Sequence, residues 1–409
     1  MTFDSFNLNA RVLSGVKSQG FETPTPIQAQ AIPSVMDGKD LLGLAQTGTG
    51  KTAAYLLPIL HKLAHGPRGR PRCLILAPTR ELASQIEQDA VRLGKHTGLR
   101  CTAIFGGASF GMQLSALRQG VDIVVACPGR LLDHINRNTI RLSAINTLVL
   151  DEADHMFDMG FLPDVRRILS NLPASRQTLL FSATMPGDIQ GLAEEVLSNP
   201  VKVKVGRVAP ATTVSQSVYP VTQSQKTGVL LGLLKEFDAE SVLIFTRTKH
   251  RAKGLAEKLG NAGHKVVSLQ GNLSQNRRKS AMDGFRSGRY RILVATDIAA
   301  RGIDISSITH VVNFDIPETT DAYTHRIGRT GRAARLGDAI TLVTPEDRSK
   351  LKAIERIVGK ELPRKKLDGF NYQQVAPLEN RESRRRPQRN LSQRRDFRSR
   401  NPRQAQAGN

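Results

Sequence analysis

The chain has 409 residues, a formal net charge of +23 at pH 7 and a pI near 10.5. That length suits two domains, each able to bury its own core, and the charge favours a polyanionic partner, nucleic acid ahead of membrane. No apolar run approaches the roughly 18 residues that would span a bilayer, and residues 1–10 are polar and mixed, without a signal-peptide pattern.

The first predicted element is a short apolar strand at 41–45. It runs into Ala45-Gln46-Thr47-Gly48-Thr49-Gly50-Lys51-Thr52, where Gly48 and Gly50 allow a tight turn that points successive N–H groups at phosphate oxygens. From Lys51 the pattern is helical, with Leu56, Leu57, Ile59, Leu60 and Leu63 available for a buried face. A helix therefore starts beneath the phosphates and lends them its positive dipole end. Lys51 is placed to reach the β- and γ-phosphates, and the Thr52 hydroxyl to ligate Mg²⁺. Ala45 stands where this pattern usually opens with Gly, so a chance Gly-rich turn before a helix is the bland alternative.

Further apolar runs follow at 73–77, 101–105, 122–126, 147–150 and 178–181, then at 242–245, 266–269, 292–295, 310–314 and 340–343, with helical stretches between them. Such alternation predicts parallel sheets covered by helices on both faces, hence two α/β lobes. Cys73, Cys101 and Cys127 fall within or beside these runs without metal-ligand spacing and read as reduced core residues of a cytoplasmic protein. Small and polar clusters close nearly every strand: Gly106-Gly107, Ser182-Ala183-Thr184, Gln270-Gly271, Thr296-Asp297. Ligands of open α/β sheets bind outside the carboxyl ends of strands, so one edge of each lobe is expected to face a shared cleft. Ordinary strand-to-helix turns favour the same residues. Leu74-Ile75-Leu76 before Pro78-Thr79-Arg80 is echoed by Leu243-Ile244-Phe245 before Thr246-Arg247-Thr248, which suggests related lobes.

Leu148-Val149-Leu150 leads straight into Asp151-Glu152-Ala153-Asp154. A carboxylate at the end of a buried strand wants a cation, which suits Asp151 holding Mg²⁺ through its water shell, with Glu152 orienting and deprotonating the attacking water. Alone, Asp151 could equally cap the helix that begins near Glu152. Beside the phosphate cradle, nucleoside triphosphate hydrolysis is the expected chemistry.

Residues 206–216, rich in Pro, Thr, Ser and Val, read as an extended linker. The expected domains are 1–205 and 217–362, followed by a basic tail at 363–409. The last 29 residues contain ten Arg against Glu382 and Asp396, with few large apolar side chains. Such a segment cannot bury enough surface to fold, and its charge suits sequence-indifferent nucleic-acid capture, a solubilising extension being the plainer use.

Taken together, these motifs resemble the DEAD-box family of ATP-dependent RNA helicases over residues 3–360, and the short core with a basic tail is similar to its bacterial RhlE-like branch. The resemblance implies two tandem RecA-like domains facing a shared cleft. Gly20-Phe21-Glu22-Thr23-Pro24-Thr25-Pro26-Ile27-Gln28 resembles the family's Q motif, which implies that Gln28 reads adenine while Phe21 stacks on it. An amide that donates and accepts at once matches adenine rather than guanine. His325-Arg326-Ile327-Gly328-Arg329-Thr330-Gly331-Arg332 resembles the catalytic motif of the second lobe, implying that Arg329 and Arg332 reach the γ-phosphate. Asp304 is similar to the family's ribose contact. The resemblance also implies that Ser182 and Thr184 couple the two sites.

RNA is implied at Pro78, Thr79, Arg80, Gly106, Gly107, Pro128, Gly129, Arg130, Thr246, Arg247, Gln270, Gly271, Thr296, Asp297, Arg301 and Gly302. Aromatics make up only 5% of the chain and none interleaves these motifs, so backbone contact without sequence readout is expected. Two positions depart from the family pattern: Cys127 stands where Thr is usual, and Gln270 where His is common. The implied activity is local, non-processive unwinding of short RNA duplexes and ribonucleoprotein remodelling by a monomer, with RNA annealing through the tail as the rival.

Overall fold

Strands that are apolar at every position must be buried on both faces, and this requirement shapes the molecule. The computed structural model describes residues 1–45, 48–205, 214–237, 240–300, 308–331 and 336–373. Strands β1 (Leu41–Leu44), β2 (Cys73–Leu76), β3 (Cys101–Ile104), β4 (Ile123–Ala126), β5 (Thr147–Leu150), β6 (Gln177–Ser182) and β7 (Val201–Lys204) form one parallel sheet in the order β3-β4-β2-β5-β6-β1-β7. In β5, Leu148 and Leu150 enter the apolar cluster on one face and Val149 the cluster on the other. Both faces of this sheet are therefore core.

The second sheet repeats the plan. Strands β8 (Val214–Pro220), β9 (Val242–Phe245), β10 (Val266–Leu269), β11 (Ile292–Ala295), β12 (His310–Asn313) and β13 (Gly337–Val343) lie parallel in the order β10-β11-β9-β12-β13-β8. Ile244 and Val294 pack on one face, Leu243 and Leu293 on the other.

Two strands were not foreseen. In β7, Val203 is buried between exposed Lys202 and Lys204, so this edge strand alternates and shows no continuous apolar run. Strand β8 starts inside the expected linker: residues 214–216 already pair with β13, while 206–213 lie outside the described residues.

The expected tail also starts too early. Val218 donates its N–H to the Pro363 carbonyl, Lys365 donates its own to Val218, and Leu367 is buried in the second lobe's core. A Cβ on Gly232 would lie 2.2 Å from a Leu367 methyl, so the absence of a side chain there makes room for this plug. The remainder of that segment, 374–409, lies outside the described residues.

Cys73 and Cys127 are buried free thiols, pushed up to about 12 by burial, and Cys101 is half-buried and free. Among the described residues, no helix is long and apolar enough to cross a membrane.

Candidate nucleotide and nucleic-acid cleft

Sheet order brings distant sequence segments together. Strands β5, β6 and β1 are neighbours, so their carboxyl ends set Asp151, Ser182 and Ala45 side by side. Ala45 donates its N–H to the Ser182 carbonyl at 3.0 Å, tying the start of the cradle to the end of β6. Strands β2, β4 and β3 occupy the other half of the edge and carry Thr79, Pro128 and Gly106 just beyond their ends. The nucleotide and nucleic-acid motifs thus share one edge, with β5 between them.

Gly48 and Gly50 adopt φ of 88° and 94°, and the helix Lys51–Leu63 starts directly after Gly50. Gly50 also lies under Gln28, whose Nε2 would be 2.5 Å from a Cβ there. Gln28 is committed locally: its Oε1 accepts the Thr25 N–H at 2.9 Å, and its Nε2 donates to the Gly50 carbonyl at 3.2 Å. It therefore caps its own helix and pins the cradle.

Phe21 is 40% exposed and stacks on Phe3, with centroids 6.1 Å apart. Both Phe21 and Gln28 line a cleft of about 520 Å³ together with Gly48, Gly50, Lys51, Thr52, Asp151 and Glu152, which joins a flat aromatic to a phosphate-binding turn. Phe21→Ala is expected to raise the KM for ATP roughly tenfold, about 1.4 kcal/mol, with kcat little changed; steady-state ATPase kinetics check this.

Lys51 is 6% exposed, and its Nζ makes no hydrogen bond to a described residue. A buried ammonium without partners is costly, so this amine is poised for anionic oxygens. Asp151 is 2% exposed and accepts from the Tyr55 hydroxyl and the Glu152 N–H, both at 2.9 Å. Burial pushes its carboxyl up, against the pull of Lys51. The capping alternative fails on geometry, because the helix Ala153–Asp158 has Glu152 at its N-cap and no side-chain cap.

Glu152 sits in the left-handed region at φ 52°, ψ 52°, a conformation that costs a non-glycine residue of order 1–3 kcal/mol and gathers at functional sites. Burial pushes its carboxyl up, but His155, Lys51 and Arg329 outweigh that and hold it well below the usual range. It is an ionised carboxylate facing the cleft.

Asp154 fastens this acid cluster to β6. Its Oδ2 accepts from the N–H of Ala183 and of Thr184 and from the Thr184 hydroxyl, at 3.2, 2.9 and 3.0 Å. The Ser182 hydroxyl accepts the Asp154 N–H at 3.3 Å and donates to the Thr184 carbonyl at 2.7 Å. Sequence reading reached Ser182 and Thr184 but not the hub they share.

On the other half of the edge the residues expected at RNA divide into two kinds. Gly107, Gly129, Arg247 and Gly271 are exposed, and Arg80, Gly106, Arg130 and Thr296 half-exposed. Pro78, Thr79, Pro128, Thr246 and Gln270 are buried; Thr79 caps the helix Arg80–Leu93, and Gln270 Oε1 accepts the Asn272 N–H. The Arg80 guanidinium lies so close over Gly107, which has φ of 81°, that a Cβ there would meet it at 2.2 Å. Arg130 donates to the Ala108 carbonyl and to Gln113 Oε1. An aromatic does enter this region: Phe110 stacks on His134 at 4.3 Å, with Arg137 at 4.7 Å from its centroid.

One expected RNA residue is occupied otherwise. Asp297 accepts a bidentate pair from Arg326, at 2.5 and 2.6 Å, while Arg326 also reaches Asn313 Oδ1 and the Asp315 carbonyl and lies 4.9 Å over the Phe245 ring. The Asp297 carboxylate therefore organises the second lobe. Asp315, which the sequence reading did not single out, accepts from Lys226, Arg251 and the Arg247 N–H. Gln46, Thr47, Arg301, Gly302, Asp304 and Arg332 lie outside the described residues.

The lobes meet at specific pairs. Arg278 donates to Glu81 at 2.6 Å, both side chains nearly buried, and His155 faces His325 across the cleft. Arg329 is 4% exposed, and its charge acts on Glu152 from the second lobe. These partners are invisible in sequence because each pair spans more than 165 residues.

Two parallel sheets that share a cleft lined by a phosphate cradle and an acid pair define a nucleoside triphosphatase built from two RecA-like lobes. Residues 25–192 match the DEAD/DEAH box helicase family, and residues 225–334 the helicase conserved C-terminal domain. The chain is 44% identical over 367 residues to the DEAD-box ATP-dependent RNA helicase CshA of Bacillus subtilis, covering 90% of this chain and 74% of that one. The fold matches Saccharomyces cerevisiae Dbp5 bound to RNA and ADP BeF3 with a TM-score of 0.80 at 32% identity, over 90% of this chain and 96% of that one. Against a DEAD box protein of the hyperthermophile Methanococcus jannaschii the TM-score is 0.53 at 36% identity, over 90% and 99%. This chain belongs to the DEAD-box ATP-dependent RNA helicase family, and is thereby an RNA-stimulated ATPase. The Bacillus relatives carry the CshA designation and lend no support to the RhlE-like branch.

Proposed function

We propose that the protein separates short RNA duplexes and remodels RNA–protein complexes by closing its two lobes on ATP and one RNA strand, then reopening after hydrolysis. The observation that supports this most is the Asp154 hub, which joins the acid pair to Ser182 and Thr184 in the middle of the shared edge. The two TM-scores agree with a closed arrangement: the more identical structure scores lower at equal coverage of this chain, which we read as a different setting of the lobes.

In this reading Lys51 and the turn from Ala45 to Thr52 bind the phosphates. Glu152 takes the proton from the attacking water, and Arg329 with Arg332 neutralises the charge that develops on the γ-phosphate. Asp304 binds the ribose, Phe21 stacks on the base, and Gln28 couples base recognition to the cradle. The residues present fit Mg²⁺: buried Asp151 and the Thr52 hydroxyl would hold it with the phosphates, and it would supply charge neutralisation there. The glycines and arginines along β2, β3 and β4, with Arg247, Gly271 and Thr296 in the second lobe, hold sugar-phosphate backbone. The domains are 1–205 and, with β8 and the Leu367 plug included, 214–373, with the tail beyond 373, working as a monomer in the cytoplasm.

A closed clamp that bends one strand disrupts only a few base-pair steps, each worth about 1.4 kcal/mol in DNA, which undoes a short duplex and scarcely affects a long one. The test is strand separation per binding event. Ten-base-pair-scale RNA duplexes should separate with ATP; unwinding of hundreds of pairs in one event would overturn the mechanism. Thr184→Ala removes a hydroxyl bond to Asp154, and a bond to a charged group is worth roughly 1.5–3 kcal/mol. RNA-stimulated ATPase should stay within roughly threefold while unwinding falls about tenfold or more, both measured on the same preparation.

A further inference from the structure

Behind Glu152 lies a pair of histidines that this mechanism does not use. His155 is 2% exposed, and its Nδ1 sits 2.8 Å from Glu152 Oε2. Its other nitrogen, Nε2, lies 3.3 Å from Nδ1 of His325 in the opposite lobe, with the rings 4.9 Å apart and at 88° to each other. Both nitrogens of His155 are therefore engaged, one on the acid and one on the far side of the cleft.

The hydrogens follow from simple inventory. A carboxylate that serves as a general base accepts, so across the 2.8 Å separation the Nδ1 of His155 carries the hydrogen and donates it to Glu152. Burial and the neighbouring His155 push His325 down to about 4, against the pull of Asp154, so at neutral pH it is an uncharged ring with one donor and one acceptor. The two imidazoles then share one hydrogen between Nε2 and Nδ1, and Glu152, His155 and His325 stand in a line across the lobe boundary. Lys51 and Arg329, the other charges that act on Glu152, reach it independently of this line.

We infer that His155 is a positioning residue for hydrolysis: it aims the Glu152 carboxylate and is itself fixed by His325, so lobe closure completes the base. A base held by a third group is a recurrent device, because the ring nitrogen that donates is set by the bond made at the other nitrogen. Closure is thus felt at the water-activating end of the site as well as at the phosphate end. The inference rests on Glu152 acting as the general base.

The test uses the full chain with RNA and ATP. His155→Ala should lower kcat of the RNA-stimulated ATPase by roughly 10- to 100-fold, the range expected for a misaligned base. The KM for ATP and RNA affinity with ADP–beryllofluoride should stay within roughly twofold, since buried His155 does not line the cleft of the phosphate cradle. His155→Asn, whose amide N–H can replace Nδ1, should recover a large part of kcat. It should also be indifferent to a further His325→Ala, which lowers kcat in the parent chain. A loss of ATP or RNA binding that matches the loss of kcat, or no recovery with Asn, would overturn the positioning role. An additive loss from His325→Ala in the His155→Asn background would overturn the link across the lobes. Near-normal turnover in Glu152→Gln would remove the base reading itself, whereas normal turnover in His155→Ala beside a stalled Glu152→Gln would remove only this inference.

Discussion

Glu152→Gln is expected to bind ATP and RNA together and then stall. The amide keeps the size of the carboxylate, and its oxygen can still accept the hydrogen of His155 Nδ1, so the local packing survives. What disappears is the charge that takes up the water's proton, and general-base catalysis contributes on the order of 10²–10⁴ in rate. Release of the bent strand depends on hydrolysis in the mechanism proposed here. The variant should therefore hold RNA far longer than the parent chain once ATP is present. ATP turnover and RNA dissociation after addition of competitor RNA measure the two halves; near-normal turnover would take Glu152 out of its assigned role.

Arg329→Ala should cost turnover at least as much. This guanidinium is nearly buried at the lobe boundary and acts on Glu152 although the two lie in different lobes. In the mechanism proposed here, charge on the transferring phosphoryl group develops between them, and an arginine finger is worth roughly 10³–10⁵ in rate. The expected loss is about 10³-fold in kcat with nucleotide still bound by the cradle of the first lobe. Arg329→Lys should restore little, because a single ammonium lacks the planar fork that spans two phosphate oxygens. Single-turnover hydrolysis with saturating RNA is the decisive measurement, and a loss below tenfold would mean that the second lobe does not complete the site.

Much of this site was legible because its parts are short, contiguous and chemically odd for their setting. Two glycines with positive φ before a helix, and two acids at the end of an apolar strand, declare themselves without any partner in view. Strands buried on both faces were equally plain, since β4 and β9 are apolar throughout. Strand β7 escaped because Lys alternates with Val along a sheet edge, and β8 because turn-like composition runs into it.

Roles were harder to read than positions. The resemblance implied that Asp297 faces RNA, yet its carboxylate is taken by Arg326 from a segment 29 residues away. The expectation that no aromatic interleaves the RNA motifs passed over Phe110, which the fold sets against His134 and Arg137. Asp154, His155 and Asp315 matter through several partners at once, and a linear pattern shows none of these.

The Leu367 plug sets where this protein can be shortened. Ending the chain at 362 would uncover the notch over Gly232 and strip β8 of the two backbone bonds it exchanges with Pro363 and Lys365. Such a truncation would report on a wounded second lobe, whereas a stop after residue 373 leaves that lobe whole. It also means that residues 363–367 belong to the half of the enzyme that carries Arg329.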